Sequence, residues 1–440
     1  MQDVYEYGIV GMGPAGIGLA MSLSDTKAIK STICFERGEC TNNSSCSLLQ
    51  LNKCVCLNSC NIISGIGGAS FFSGGKISIY PAGSGLLFFF DSENDLYDLM
   101  KKTRIVLSNS MILDHIHVAD DIRQEAAEFY KQRNITYKYY DVYKFNSIKY
   151  RNCIYETVKK LKTKGLTLRE HTEVFDIQHD PLTNLFHVTT RYKGKCIETY
   201  FVQNLFLANG ATDIQDALFT KFSSKTDQFY EIGVRVEAPS NYFKSVLSVH
   251  GDLKLKTDTC RTYCVVDNGR IIVYKTNGMY FLEGQALPTT KTESTNLAIL
   301  VKCKNEQKIL NFIQTYKNNF YGKPVKQLLN DYLLNQNSKE DIFTTLSMAT
   351  AKNINKLLPQ DINLTLKNFI STVVIDAMHI PTDKITLVAP ELKIIRNINL
   401  QKDFSLEPHV YVIGAATGKF RGILQSFCSG FRCGQLLLRR

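Results

Sequence analysis

The chain has no tryptophan, no internal repeat and no low-complexity linker. The first absence carries no inference. The other two exclude a tandem-repeat architecture and a string of modules on flexible tethers. Long apolar runs are missing as well. Leu86 to Phe90 is among the longest, far short of the ~20 residues a bilayer span needs, so no membrane partner is expected. The opening MQDVYEYG is acidic and enters a strand directly, without the basic and apolar regions of a secretory signal. Thirteen cysteines without such a signal point to reduced thiols in a cytoplasmic chain. The net charge of +11 favours anionic ligands or surfaces. Its lysines are dispersed, however, as in Lys159, Lys160, Lys162 and Lys164, and read as a solvated rim. No nucleic-acid partner is expected. Composition leaves the oligomeric state open.

What is present is globular: 440 residues, 44% hydrophobic and 21% charged, suffice for two or three domains around a buried core. The strongest local signal lies near the start. A strand from Tyr5 to Val10 runs into Gly11-Met12-Gly13-Pro14-Ala15-Gly16, and a small-residue helix follows. A second strand, Ser31 to Phe35, ends in Glu36. This is the dinucleotide-binding βαβ fingerprint in its full context. Gly11 permits the tight turn, Gly13 lets the backbone approach a pyrophosphate, and Gly16 lets helix and strand pack closely. The helix N-terminus offers N–H groups and a positive dipole end to phosphates. Glu36 can accept hydrogen bonds from a ribose diol.

An irregular stretch rich in Cys, Ser and Asn, Gly38 to Asn61, leads into a glycine-rich segment at 65–76. A helix is expected over Asp91 to Leu107, capped by Asp91 or Ser92, with Leu96, Leu99 and Met100 on one face. Another is expected over 149–164, where Ile154, Val158 and Leu161 fall at helical spacing before Gly165. Strands are expected over Thr172 to Ile177, Phe186 to Thr190 and Cys196 to Val202, the last two joined about Lys193-Gly194-Lys195. Leu205 to Ala208 reads as a separate short strand before Asn209-Gly210. From about 216 the pattern alternates. Glu231 to Glu237 puts Ile232, Val234 and Val236 on one face, Arg235 and Glu237 on the other. Asn268-Gly269 and Asn277-Gly278 bracket Arg270 to Tyr274 as turns of an antiparallel meander. Helical patterns occupy roughly 304–336. The chain closes with a strand, Val410 to Ile413, a turn from Gly414 to Gly422, and a final helix of small residues.

Five segments in order carry a family resemblance. GMGPAG resembles the FAD fingerprint of flavoproteins related to p-hydroxybenzoate hydroxylase and glutathione reductase. Within that group the chain is similar to FAD-dependent dehydrogenases whose substrates are largely unassigned. CNIISGIGGASFFSGGK resembles their cysteine-preceded GGAG-FSDGK segment, and EIGVRVEAP their GVRxE strand. CRTYCVVDNGRIIV resembles RTFCMCPGG, and VYVIGAATGKFRGILQSFCSG resembles the closing IGDGAGxxRGLLQAAxSG. The resemblance implies an α/β fold. A Rossmann-like FAD-binding domain, a parallel sheet with a β-meander, would carry an inserted antiparallel-sheet α+β substrate domain. The implied division is 1–110 and 111–215 for the first two parts of the FAD-binding domain. Residues 216–370 would form the insertion, and 371–440 the closing part.

Carried over residue by residue, the resemblance puts Gly11, Gly13, Pro14, Ala15 and Gly16 on the FAD pyrophosphate. Glu36 would bind the adenosine ribose with Arg37 beside it. Gly67, Gly68, Ser73, Gly75 and Lys76 would line the ribityl and isoalloxazine side. Val174 would meet adenine, and Ala208, Asn209 and Gly210 would pass near the pyrophosphate. Gly414, Gly418, Arg421, Gly422 and Ile423 would close over the flavin. Two positions depart from the family: its acid after the C-terminal strand is Ala415 here, and the acid of its SDGK motif is Gly74. Thr417 is the candidate to supply a replacing hydroxyl.

The implied activity is that of an FAD-dependent, dehydrogenase-like oxidoreductase on a small polar or anionic organic substrate. No second GxGxxG lies between 216 and 400, so NAD(P)H would visit only transiently, as in FAD-dependent monooxygenases. A non-catalytic flavin-fold redox sensor or scaffold is the remaining alternative. Lys76 is the catalytic candidate, because a cation near the flavin favours its reduced, anionic form. Arg235 and Arg261 are the candidates to hold an anionic substrate. No metal site is expected. Cys46, Cys54, Cys56 and Cys60 lack a usual zinc spacing and read as reduced loop thiols. His115 and His117 read as a surface strand, Cys260 and Cys264 as buried thiols.

Overall fold

The computed structural model describes residues 3–39, 46–51, 53–56, 59–108, 112–211, 218, 226–244, 246–247, 252–286 and 291–439. The expected junctions at 110/111 and 215/216, and part of the stretch 38–61, lie outside them. Among the described residues two large sheets dominate. In the first, Val410–Val412, Cys196–Leu207, Val4–Val10, Thr32–Phe35 and Thr167–Arg169 lie parallel in that order. Leu185–Tyr192 pairs antiparallel with the outer half of Cys196–Leu207, and Thr172–Asp180 pairs with Leu185–Tyr192. The second sheet runs Thr350–Ala351, Val325–Leu328, Thr386–Ile398, Thr226–Pro239, Ser294–Cys303, Cys260–Val266, Lys254–Lys256 and Thr136–Lys138. This is the α/β architecture expected, a parallel sheet with attached antiparallel strands and a separate antiparallel sheet.

The two ends of the chain meet through glycine. Helix Pro14–Leu23 crosses helix Ile423–Leu437 with backbones in contact. A Cβ on Gly18 would stand 2.2 Å from the carbonyl oxygen of Phe427, and one on Gly430 2.0 Å from that of Ala15. Neither neighbour can rotate away, since each is main chain. Gly430→Ala is therefore expected to destabilise the protein by about 1–3 kcal/mol, read as a lower urea midpoint. An unchanged midpoint would show that the helices can separate freely.

Local signals were followed closely in the first half. Ser92 caps helix Glu93–Ser108, its Oγ accepting from the Asp95 N–H at 3.1 Å, with Leu96 and Met100 buried beneath. Helix Ser147–Thr163 starts on Asn146 and buries Ile154, Val158 and Leu161, leaving its lysines exposed.

Four expectations need correction. Cys196–Leu207 is one strand, not two. The polar pair Gln203-Asn204 marks no break, because Asn204 spends its side-chain amide on the Glu6 carbonyl at 3.1 Å. The meander expected about Arg270 to Tyr274 does not form among the described residues: Asn277-Gly278 does close the hairpin of Arg270–Thr276 and Met279–Gln285, but Asn268-Gly269 leads from the large sheet into that separate pair. The helical stretch expected over 304–336 is interrupted: helices Glu306–Asn319 and Leu329–Leu333 stand on either side of strand Val325–Leu328, which the chain enters after Gly322 and Pro324. Thr386–Ile398, beyond the expected boundary at 370, is a central strand of the second sheet. It accommodates Pro390 because the ladder skips there, passing from Gly233↔Glu391 to Arg235↔Val388.

Candidate functional site

The fingerprint turn lies at the carboxyl ends of three parallel strands. Val10 hands the chain to Gly11, whose N–H donates to the Phe35 carbonyl at 2.8 Å, while the Ala208 N–H donates to Val10. Gly11 has φ of +101°, and a Cβ there would meet the Ala208 oxygen at 2.7 Å. No other residue fits. Gly13 is the opposite case: its φ of −75° is ordinary and a Cβ would meet nothing within 4 Å. Its missing side chain leaves open space in front of the helix. Glu36 is buried, and its carboxylate accepts three backbone N–H groups: Met12 on Oε2 at 2.9 Å, Gly38 and Gly65 on Oε1 at 2.9 and 2.8 Å. A carboxylate has about four lone-pair sites, so one on Oε2 remains for a ligand hydroxyl.

A cavity of about 980 Å³ opens from this turn, at the upper end of the ~300–1,000 Å³ usual for ligand sites. Of the expected residues it is lined by Gly11, Gly13, Pro14, Ala15, Glu36, Arg37, Gly68, Ser73, Lys76, Val174, Ala208, Asn209, Gly210, Gly418, Arg421, Gly422 and Ile423. Gly16, Gly67, Gly75 and Gly414 do not touch it; they shape the backbone behind the wall. Gly67 ties the glycine-rich segment to the turn through its N–H to the Met12 carbonyl at 2.8 Å. The N-termini of both crossed helices thus open on one cavity. Ala415 lines it too, whereas Thr417 does not. Its hydroxyl is fully buried and donates to the Gly414 carbonyl at 2.7 Å.

The opposite wall, formed by the second sheet together with Lys76 and Asp252, is strongly charged. Lys76 Nζ lies 2.9 Å from Asp252 Oδ1 and also donates to the Val265 carbonyl, and Lys254 Nζ takes Oδ2 at 2.8 Å. Burial works against the charge on Asp252, yet the Lys254 and Lys76 ammoniums outweigh it and hold the carboxyl well below its usual range. Lys76 is therefore a pinned cation on the cavity wall. Its counter-ion is Asp252, remote in sequence; a Cβ on Gly74 would lie 3.5 Å from Lys76 Cε. Neither Asp252 nor Lys254 was anticipated, although Asp252-Leu253-Lys254-Leu255-Lys256 alternates charged and apolar residues into the strand Lys254–Lys256.

Of the two substrate candidates the structure brings only Arg261 to the cavity. Its Nη2 donates to Glu231 at 2.6 Å, and Arg421 Nη1 lies 3.9 Å from the same carboxylate oxygen. Arg235 is a correction: it is fully buried and off the cavity. Glu391 grips it through two bonds of 2.8 and 3.2 Å, and Asn296 accepts at 2.7 Å. Glu237 is likewise consumed internally, accepting from Ser294 at 2.9 Å and Thr344 at 2.7 Å. The charged face of Glu231 to Glu237 is covered beyond Glu231 by the 270–285 hairpin and residues 344–345, which alternation alone could not reveal.

The described cysteines are free thiols. Burial pushes Cys46, Cys56 and Cys60 up, which leaves them neutral and poorly nucleophilic. Among the described residues no group of His, Cys, Asp or Glu is arranged to hold a metal ion. His115 and His117 share Asp141, at 3.5 and 3.0 Å, on the surface. Among the described residues no helix is long and apolar enough to cross a membrane.

No protein-family model matches the chain, and no curated protein matches it in sequence. Solved structures do resemble it. Glycine oxidase from Geobacillus kaustophilus is 13% identical over 99% of this chain and 95% of its own, with a TM-score of 0.40. L-alpha-glycerophosphate oxidase from Mycoplasma pneumoniae, solved with FAD bound, is 10% identical over 100% and 96%, with a TM-score of 0.42. A geranylgeranyl bacteriochlorophyll reductase-like protein from Thermoplasma acidophilum is 11% identical over 99% and 78%, with a TM-score of 0.42.

Proposed function

We propose that the chain is an FAD-dependent oxidoreductase acting on a small, anionic organic molecule. One observation carries the reading: the fingerprint turn, the Glu36 carboxylate, the glycine-rich 65–76 segment and the last helix's N-terminus open on one cavity, whose far wall is cationic. The residues present fit the cofactor. Gly13 and Gly210 leave open space where a Cβ would meet nothing within 4 Å, as phosphates against backbone require. Glu36 keeps one acceptor site for a ribose hydroxyl. When bound, FAD supplies the hydride acceptor. The protein's own share is orientation and charge. Gly422 and Ile423 bring the final helix's positive end to the cavity, where it stabilises negative charge. Lys76, held by Asp252, adds a cation on the other side.

The test is a titration of the apoprotein with FAD, followed by quenching of flavin fluorescence. Saturable one-to-one binding is expected. Ala415→Asp restores an acceptor on the cavity wall and is expected to tighten binding about tenfold, the equivalent of one charge-assisted hydrogen bond. Absence of binding would sink the reading. Binding that the aspartate leaves unchanged or weakens would remove position 415 from the cofactor's surroundings.

A further inference from the structure

We infer that Arg261 and Arg421 form the seat of a substrate carboxylate, an assignment that rests on the reading of this cavity as a flavin and substrate chamber. Two guanidiniums share one protein carboxylate there. Arg261 Nη2 holds Glu231 at 2.6 Å, while Arg421 Nη1 stands off at 3.9 Å and Nη2 donates to the Ile394 carbonyl. Arg421, expected on the cofactor, thus reaches across to the second sheet. Three of the pair's nitrogens, Arg261 Nε and Arg421 Nε and Nη1, are buried without a hydrogen-bond acceptor. Burial also lowers the pKa of Arg421, the mark of a cation short of compensation. Buried donors are nearly always satisfied, and charged ones are the costliest to leave open.

The neighbouring cations all have acceptors for their N–H groups, which singles out this pair. Arg235 and Lys393 are balanced by Glu283 and Glu391, and Lys76 and Lys254 both reach Asp252. Among the described residues only the Arg261–Arg421 pair both lines the cavity and carries orphaned N–H groups. One carboxylate against two guanidiniums leaves a surplus of one positive charge, which a monoanion cancels. A dianionic phosphate would overshoot beside Glu231. The Tyr263 ring, 5.1 Å from the Arg261 guanidinium and on the same wall, offers an apolar surface for the organic part.

Calorimetric titration of the purified chain with sodium benzoate, and separately with sodium phosphate, tests this. Benzoate is expected to bind at least about tenfold more tightly than phosphate. Arg421→Gln should weaken benzoate about tenfold or more, having lost a charge-assisted donor. Glu231→Gln should tighten it severalfold, because the guanidiniums lose their internal competitor, and a misfolded variant cannot imitate a gain. No benzoate binding, preference for phosphate, or indifference to both substitutions would overturn the assignment. Flavin absorbance of the same samples separates the two readings. Benzoate bound without flavin leaves the carboxylate seat standing while the cofactor reading falls, and flavin present without benzoate binding does the reverse.

Discussion

Gly13→Leu is expected to abolish useful FAD binding while leaving the fold intact. The backbone there is extended, with φ −75° and ψ −174°, a conformation leucine adopts freely. A Cβ would meet nothing within 4 Å beyond its chain neighbours, so a side chain starting there has room to enter the cavity. It would occupy the cavity directly in front of helix Pro14–Leu23, where the phosphates must approach the unpaired N–H groups. Affinity should fall roughly a hundredfold or more, a loss of about 2.7 kcal/mol. Stability should change by no more than about 1 kcal/mol, since Gly13 is an N-cap and leucine is a poorer one. Fluorescence titration paired with urea unfolding reads both quantities. Full affinity in the variant would mean that the ligand lies elsewhere; a collapsed fold would mean that the open space is not open.

Glu36→Ala should fail in both respects at once. The carboxylate is the common acceptor for the Met12, Gly38 and Gly65 N–H groups, which come from three separate segments. Removing it leaves three donors without their acceptor in a buried place, at about 1–3 kcal/mol each. A loss of at least about 3 kcal/mol is expected from a total that is typically only 5–15. FAD binding should disappear with it, through the ribose contact and through loosening of the turn. Urea unfolding without ligand isolates the structural share. If stability stays within about 0.5 kcal/mol of wild type, the three hydrogen bonds do not organise the site.

How much of this was legible depended on the range of the interactions involved. The fingerprint declared itself because its chemistry is local: Gly11, Gly13, Gly16 and Glu36 act at set spacings along one βαβ unit. The final glycine helix was visible for the same reason, although its crossing on Gly18 was not. Glu36's structural duty was hidden, since two of its three donors are close to it only in space or across the fingerprint turn. Arg235 misled because alternation sorts side chains by face and cannot say what covers a face. Here the cover is the 270–285 hairpin with residues 344–345, and Glu391 of the neighbouring strand completes the ion pair. The counter-ions Asp252 and Glu231 belong to long-range pairings, and no spacing rule announces those. Asp252 to Lys256 could still have been read as a strand with charges on one side. The cavity is thus a local motif completed by distant charges.

The central claim is that this cavity holds FAD. The most direct measurement is to denature the purified or reconstituted protein, separate the released small molecule and identify it by chromatography and mass. The account predicts FAD, one per chain, with Gly13→Leu protein releasing none. Release of NAD alone, or of no nucleotide from wild-type protein after reconstitution, would contradict it.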